Sequence, residues 1–449
     1  MAKRLFGTDG IRGVAGEPPL DPQTITALGI ALADDLTRQG LAGRPVLAGM
    51  DTRESGPAIA AQLADGLGRR GIRVEFAGVV TTPGVAYLTR TGDFAAGVMI
   101  SASHNPYRDN GIKVFARSGF KLPDAEEHEV EEEIFRILPD VQPSASLTPL
   151  TAAYSVQPYL TFLLSTLSAS ARLQGLRLVI DCGNGAASAL APDLFRAAGA
   201  HVTAMCNHPD GRNINLDCGA LHLEPLRRKV LELKADAGVA FDGDADRALL
   251  VASSGKVIDG DAILLVAARR LQQDGHLPGN VVVSTVMSNL GLEKALGRLG
   301  ISMIRTPVGD KYVLEEMLRR SAPLGGEQSG HIIFRECSTT GDGMLTALKV
   351  LETCVRENAS LDAVSADLAV FPQLLVNVRV KERRTLDEMP GVQNEIRACE
   401  AVLNGSGRVL VRFSGTEPLL RVMVEGAEQG QVEELAARIV SAIRAELGG

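Results

Sequence analysis

The chain has no tryptophan, and aromatic residues make up only 4% of its 449 positions. So sparse an aromatic set disfavours nucleic-acid binding by base stacking. Positive charge is not in excess either: the net charge of −8 argues against a protein that tracks phosphate backbones and leaves room only for a local basic pocket. No apolar run approaches ~20 residues, so no transmembrane helix is expected. The start of the chain passes from Lys3-Arg4 to Gly7-Thr8-Asp9 without the apolar core of a signal peptide, which points to the cytoplasm. Six cysteines (182, 206, 218, 337, 354 and 399) include no CxxC pair. Neither a zinc site nor a disulfide framework is expected, and the thiols read as reduced packing residues. What remains, 45% hydrophobic and 22% charged residues, suits a globular protein long enough for two to four domains.

Residues 1–150 alternate helix and strand, the pattern of an α/β layer structure. Asp21-Pro22 offers an N-cap and first helical residue, Ile25, Leu28, Leu32 and Leu36 recur at helical spacing, and Gly40 can end the helix. Val46–Met50 and Ile72–Phe76 read as strands. Pro139–Pro149 reads as a linker into a helical segment over Pro158–Leu173. A second α/β unit, 151–251, has strands at Arg177–Asp181 and Gly238–Phe241. A third, 252–370, has a strand at Val281–Thr285, a helix over Asn289–Leu299 and β structure from Ile301. Each unit places a polar turn after an apolar strand, a weak internal repeat. The last segment, 371–449, reads as a small α+β domain, with strands at Leu374–Val380, Arg408–Arg412 and Leu420–Val424 and a closing helix over Gln431–Leu447.

Four loops carry chemistry. In the first, the apolar run Phe94–Ile100 delivers Ser101-Ala102-Ser103-His104-Asn105-Pro106 at a chain reversal. Substrates of open α/β sheets bind outside the carboxyl ends of strands, so a serine there beside a histidine is a nucleophile candidate. No Gly-x-Ser-x-Gly elbow surrounds Ser103, and no third orienting carboxylate is evident, so His104 suits positioning or phosphate contact better than hydrolysis. Asp109-Asn110-Gly111-Ile112-Lys113, a turn and then a strand, returns Lys113 toward this loop.

The second is Phe241-Asp242-Gly243-Asp244-Ala245-Asp246-Arg247. Carboxylates at i, i+2 and i+4 of an extended backbone share one side. Three anions that close repel unless a cation joins them, and an all-oxygen set selects a hard ion, Mg²⁺ before Mn²⁺. An EF-hand would need Gly and Glu where Arg247 and Ser253 stand. Mg²⁺ keeps positions free for phosphate oxygens, which a phosphate on Ser103 would supply. The bland alternative is a solvated acidic turn, but apolar strands enter and leave the loop.

The third and fourth loops read as sugar and phosphate sites. Gly325-Gly326-Glu327-Gln328-Ser329-Gly330-His331 offers Glu327 and Ser329 to vicinal sugar hydroxyls. Arg412-Phe413-Ser414-Gly415-Thr416-Glu417-Pro418, with Arg421 downstream, is an anion cradle of backbone N–H groups, hydroxyls and arginines. An ordinary polar turn and a hairpin flanked by arginines are the competing readings. Arg12, Arg53 and Arg247 also end or follow polar turns. Singly each reads as surface charge; together they suit an anionic ligand.

These loops, preceded by Phe6-Gly7-Thr8-Asp9-Gly10-Ile11-Arg12-Gly13, stand in the order found in the α-D-phosphohexomutases, and the chain resembles that family over its whole length. The resemblance implies three related mixed α/β domains and a smaller C-terminal α+β domain around a central cleft. Gln328, where phosphomannomutase/phosphoglucomutase members tend to carry Met, is similar to the branch acting on glucosamine phosphates. By the same resemblance Ser103 is the phosphorylated serine, grouped with His104, Lys113 (an acid/base lysine) and Arg247. Asp242, Asp244 and Asp246 hold one Mg²⁺ per subunit together with the phosphate on Ser103. Arg12, Glu327, Ser329, Arg412, Ser414, Gly415, Thr416 and Arg421 bind substrate. Ala245 replaces a frequent Gly with little expected effect, and Phe413 and Lys311 also depart from common family residues.

The implied reaction interconverts glucosamine 6-phosphate and glucosamine 1-phosphate, toward UDP-N-acetylglucosamine and cell-wall precursors. Glucosamine 1,6-bisphosphate or a similar ester is the intermediate and activator. A kinase or autophosphorylation charges Ser103. The implied partner set is a phosphorylated hexosamine and a second copy of the chain, with no nucleic acid and no membrane. Three alternatives stay open: a phosphomannomutase/phosphoglucomutase, a Mg²⁺-dependent sugar phosphatase using Asp242 as nucleophile, and a non-catalytic sugar-phosphate sensor.

Overall fold

The structure, a computed structural model, describes residues 5–382, 384–413 and 419–448. It divides into two compact units: one runs to Val286 and includes Met303–Ala366; the other joins Met287–Ser302 to the chain from Asp367 onward.

The first unit begins with strands β1 (Phe6–Gly7), β2 (Gly10–Val14), β3 (Val46–Met50), β4 (Val74–Val79), β5 (Ala96–Ile100) and β6 (Asp109–Ala116), and helices α1 (Pro22–Arg38), α2 (Gly56–Gly68), α3 (Thr82–Thr91) and α4 (Asp124–Ile137). Next come α5 (Gln157–Ser165), β7 (Arg177–Asp181), α6 (Ala191–Ala197), β8 (His201–Met205), α7 (Glu224–Leu233), β9 (Ala237–Phe241), β10 (Ala248–Ala252) and β11 (Val257–Ile258). A third stretch adds α8 (Gly260–Gln273), β12 (Val281–Thr285), β13 (Ser302–Thr306), α10 (Asp310–Arg320), β14 (Leu324–Gly326), β15 (Ile332–Phe334), α11 (Gly343–Glu357) and α12 (Leu361–Val364), with α9 (Leu290–Arg298) lying in the second unit.

The three sheets share one plan. Their orders contain β4-β3-β5-β6, β8-β7-β9-β10 and β13-β12-β14-β15. In each, two central strands run parallel and the last strand returns antiparallel. The weak sequence repeat is thus a repeat of topology. The loop that matters in each sheet is the hairpin from a central strand into its antiparallel neighbour: β5 to β6, β9 to β10 and β14 to β15.

Local sequence accounts for the frame. Asp21 caps α1, accepting from the N–H groups of Gln23 and Thr24 (both 3.1 Å), with Pro22 in the first turn. Ile25, Leu28, Leu32 and Leu36 are buried as their spacing requires. Strand β4 starts at Val74, later than the sequence pattern suggested, and the helix expected over 158–173 stops at Ser165. Asp109 already belongs to β6, not to a turn before it.

The second unit packs a three-stranded antiparallel sheet, order β16 (Gln373–Arg379), β18 (Leu419–Glu425), β17 (Arg408–Phe413), against α13 (Pro390–Leu403) and α14 (Gln429–Leu447). Helix α9 joins it through Glu425, whose carboxylate accepts from Leu290 N–H (2.8 Å), and through Asn289, which exchanges two 2.9 Å bonds with the backbone of Phe371. All six cysteines are free. Among the described residues no helix is long and apolar enough to cross a membrane.

Helices α1 and α2 cross at Gly29 and Gly66. A Cβ on Gly66 would lie 2.4 Å from the Thr26 carbonyl oxygen and 2.9 Å from Gly29 Cα. Alanine gains about 1 kcal/mol of helix propensity over glycine, but forcing two backbones apart in a packed core costs typically 1–3 kcal/mol. Gly66→Ala is therefore expected to lower the unfolding free energy, read as a reduced denaturation midpoint; an unchanged or raised midpoint would show that the helix contact is loose.

Candidate functional site: three hairpin loops around a buried carboxylate cluster

The site begins at the β5–β6 loop. Ser103 is buried (1% exposed), and its backbone is left-handed, with φ of 51°. Its hydroxyl donates to Asp242 Oδ2 at 2.5 Å, and His104 Nδ1 lies 3.3 Å from Ser103 Oγ. Burial, then Arg247 and Arg12, hold the His104 imidazole down to about 4, so it is neutral at neutral pH.

Asp242, Asp244 and Asp246 converge from the β9–β10 loop, with ligand oxygens all within 4.8 Å of one another. The backbone that brings them together is turned, not extended as the sequence pattern implied. Ala245 adopts φ of 54°, so the methyl group at this position carries a backbone cost that a glycine would not. The carboxylates are buried and unequally compensated. Burial and the charges of Asp246 and Asp244 push Asp242 well above the usual carboxylate range. Burial acts the same way on Asp246, but Lys113 and His331 outweigh it and hold that group well below. Lys113 Nζ donates to Asp244 Oδ2 (2.9 Å) and Asp246 Oδ2 (3.3 Å) and lies 3.0 Å from Asp9 Oδ2. Burial alone would depress this ammonium; Asp244, Asp9 and Asp246 reverse that and raise it far above its usual value. Lys113 therefore meets the aspartates directly, as a charged donor.

Arg12 and Arg247 line a cleft of about 400 Å³ together with His104, Asp246, Asp310 and Glu327. Arg53 does not: it is buried beneath the serine loop (1% exposed), which corrects its reading as surface charge. In the β14–β15 loop Glu327 accepts from Gly309 N–H (3.1 Å) and from the Ser329 hydroxyl (3.3 Å). In the second unit Arg412 and Arg421 are directly opposed across β17 and β18. Burial first, and then the like charge of Arg421, lowers Arg412. Ser414, Gly415 and Thr416 lie outside the described residues.

Sequence reasoning missed an outer set. Lys121 bridges Asp9 and Asp310. His331 Nε2 accepts from Gly341 N–H (3.0 Å), leaving Nδ1 to face Asp246 at 3.6 Å. Thr82 Oγ1 donates to Asp244 Oδ2 (2.5 Å). Asp9 and His331 stood inside motifs already singled out; Thr82, Lys121 and Asp310 had no local signal. A second convergence, Asp181 with Cys206 and Cys218, is already engaged. Asp181 accepts from the N–H groups of Gly183 (2.9 Å) and Gly219 (3.0 Å), and Asn184 Nδ2 points at Cys218 Sγ (3.8 Å).

The carboxylate cluster fits a hard divalent cation. Its donors are all oxygen, and Asp244 Oδ1 and Asp246 Oδ1 are buried with no hydrogen-bond partner among the described residues.

Four family models cover the chain in order: phosphoglucomutase/phosphomannomutase α/β/α domain I over residues 3–140, domain II over 157–255, domain III over 259–371 and the C-terminal domain over 375–442. Phosphoglucosamine mutase of Solibacter usitatus is 59% identical over 449 residues, the whole of both chains. That of Koribacter versatilis is 49% identical over 99% of this chain and 98% of the relative. The chain belongs to the phosphoglucosamine mutase family. Solved phosphohexomutases share its fold. A Burkholderia thailandensis phosphoglucomutase/phosphomannomutase family protein aligns with a TM-score of 0.78 at 24% identity, over 98% of this chain and 97% of that one. Aspergillus fumigatus N-acetylphosphoglucosamine mutase, solved with GlcNAc-6P and magnesium, aligns with a TM-score of 0.66 at 18% identity, over 98% and 96%. The four-domain phosphohexomutase architecture expected from the motifs is present.

The unpartnered oxygens generate a prediction for this phosphohexomutase. A ligand at 100 times its dissociation constant stabilises the folded state by about 2.7 kcal/mol. Millimolar Mg²⁺ is expected to raise the melting temperature of the EDTA-stripped protein, and Asp244→Asn to lose most of that rise. An equal rise in both proteins would place the cation elsewhere.

Proposed function

We propose that the chain interconverts glucosamine 6-phosphate and glucosamine 1-phosphate through a phosphoserine at Ser103 and a 1,6-bisphosphate intermediate. The observation that carries this reading is the 2.5 Å contact between the Ser103 hydroxyl and Asp242, one of three clustered carboxylates from a loop 139 residues away. A serine phosphate formed there would sit beside the cation these aspartates fit.

In the forward half-reaction the P–O bond to Ser103 Oγ breaks as a bond forms to the free sugar hydroxyl, whose proton leaves to a base. The same chemistry in reverse, at the other end of the bisphosphate, restores phosphoserine. Asp242, Asp244 and Asp246 would hold Mg²⁺, which when bound neutralises charge on the transferring group. Lys113, kept charged by three carboxylates, supplies fixed positive charge and can donate a proton but does not readily accept one. Neutral His104 presents Nδ1 to Ser103 Oγ. Arg247 and Arg12 face the cleft as phosphate contacts. Glu327, tethered to Gly309 and Ser329, orients the sugar hydroxyls. Arg412, Ser414, Gly415, Thr416 and Arg421 are assigned to a substrate phosphate by their motif. A glucosamine 1,6-bisphosphate-class activator and a cytoplasmic location belong to the same reading.

Ser103→Ala is expected to abolish isomerisation by several orders of magnitude. Intact-mass analysis with peptide mapping should find one phosphoryl group on the native chain, at Ser103 alone. Release of inorganic phosphate surviving the substitution, without isomerisation in either protein, would favour a phosphatase acting through Asp242. Turnover of glucosamine 1-phosphate should exceed that of mannose 1-phosphate; a strong mannose preference would sink the substrate assignment.

A further inference from the structure

The loop carrying Ser103 rests on a closed ring of hydrogen bonds to which no role is assigned above. Strands β3 and β5 are parallel neighbours, with Met50 opposite Ile100. Their ends therefore deliver Asp51 and Arg53, and Ser101 and Ser103, to one point. The ring starts at the Ser103 amide, which donates to Ser101 Oγ (2.9 Å). The Ser101 hydroxyl donates to Asp51 Oδ2 (2.6 Å), and the same oxygen accepts from Arg53 Nε (2.9 Å). Arg53 Nη2 then donates to the carbonyl oxygens of Ser103 (3.0 Å) and Asn105 (2.9 Å), and Nη1 to that of Pro106 (2.5 Å). The chain of bonds leaves the amide of Ser103 and returns to its own carbonyl.

Three features distinguish this from routine satisfaction of a buried charge. Among the described residues, every acceptor of the guanidinium apart from Asp51 lies within the four residues Ser103 to Pro106. The side chains of Asp51 and Arg53 are wholly buried, so the pair is not screened by water. And the residue the ring encloses has a left-handed backbone, which a serine leaves when unsupported. Asn215 Nδ2 donates to the same Ser103 carbonyl (2.9 Å), so that oxygen is held from two sides. An arginine's planar fork can reach three carbonyls at fixed angles; a lysine's point charge cannot.

We infer that Arg53, with Asp51 and Ser101, is a positioning residue for phosphoryl transfer: the ring holds Ser103 in the left-handed bend that directs its Oγ to Asp242. The inference rests on the proposed role of Ser103 as phosphoryl carrier. It also gives Ser101, the serine not chosen as carrier, a task of its own as the relay between the Ser103 amide and Asp51.

The test uses the full chain carrying Arg53→Lys or, more mildly, Ser101→Ala. Two rates are compared with the native protein: steady-state isomerisation of glucosamine 1-phosphate, and loading of dephosphorylated Ser103 from a hexose 1,6-bisphosphate, followed by intact mass. A misplaced nucleophile costs roughly 100-fold in rate, so kcat and the loading rate are expected to fall together by about that factor in folded Arg53→Lys, with KM changed less than about twofold. Ser101→Ala should show a smaller loss of the same pattern. The inference is overturned if folded Arg53→Lys keeps the native loading rate, or if lost activity in both variants matches the lost folded fraction by circular dichroism. If the native chain loads Ser103 but does not isomerise, the mutase reading fails while the loading comparison still decides the role of Arg53.

Discussion

Three carboxylates in one buried pocket are the constraint on which the rest of the site depends. At about 5 Å and an effective dielectric near 20, each pair of charges repels by roughly 3 kcal/mol. The fold answers with cations of its own. Lys113 touches two of the three aspartates and Arg247 lies 3.9 Å from Asp246, while His331, neutral with Nε2 accepting from Gly341, adds the dipole of its Nδ1–H at 3.6 Å from Asp246. The compensation is lopsided: Asp246 is driven down and Asp242 is driven up. Asp242 is also the carboxylate that meets the Ser103 hydroxyl. Added positive charge therefore gains most beside the serine, where a transferring phosphoryl group would need it.

The topology explains how such a pocket can be assembled from distant segments. Each of the first three sheets ends its second central strand in a hairpin to an antiparallel neighbour. The serine, aspartate and glutamate loops are those three hairpins. Each enters the site between two ladder-bonded strands, so its ends are fixed in register while its tip stays free of secondary structure. One device, used three times, brings Ser103, the three aspartates and Glu327 to the site.

What was legible in the sequence follows from this. Ser103, the three aspartates and Glu327 sit on short loops whose chemistry is local, and a strand followed by small polar residues reveals them one loop at a time. Most of the strands and helices were legible for the same reason, because burial follows local period. The partners of these residues were not legible, because they come from elsewhere in the fold. Thr82 is 162 residues from Asp244, Lys121 is 189 from Asp310, and nothing in either neighbourhood signals the contact. Arg53 was misjudged for a related reason: an arginine after a turn is usually solvated, and only the parallel pairing of β3 with β5 places three carbonyls where its guanidinium can replace water.

The backbone carries the last part of the design. Where the loops meet, they meet main chain to main chain. A Cβ on Gly243 would lie 2.4 Å from the Ser103 carbonyl oxygen, one on Gly260 2.0 Å from that of Glu327, and one on Gly343 2.5 Å from that of Arg247. Gly260 N–H in turn donates to the Gln328 carbonyl and Gly343 N–H to that of Ala245, both at 3.0 Å. Glycine is needed at these points for proximity, not for flexibility. The strain has gone to their neighbours. Ser103, Asn184, Asn215 and Ala245 all have positive φ, and Asn215 bonds the carbonyl of Ser103. Asparagine tolerates that conformation; serine and alanine do so only when their surroundings impose it. The two residues that bear it are Ser103 and Ala245, the centre of the aspartate loop. Both are buried with their carbonyls hydrogen-bonded, Ser103 by Arg53 and Asn215 and Ala245 by Gly343, without any ligand present. A phosphoryl group passing between Ser103 and a sugar would then meet charges already in place, and the energy that holds them there was spent in folding.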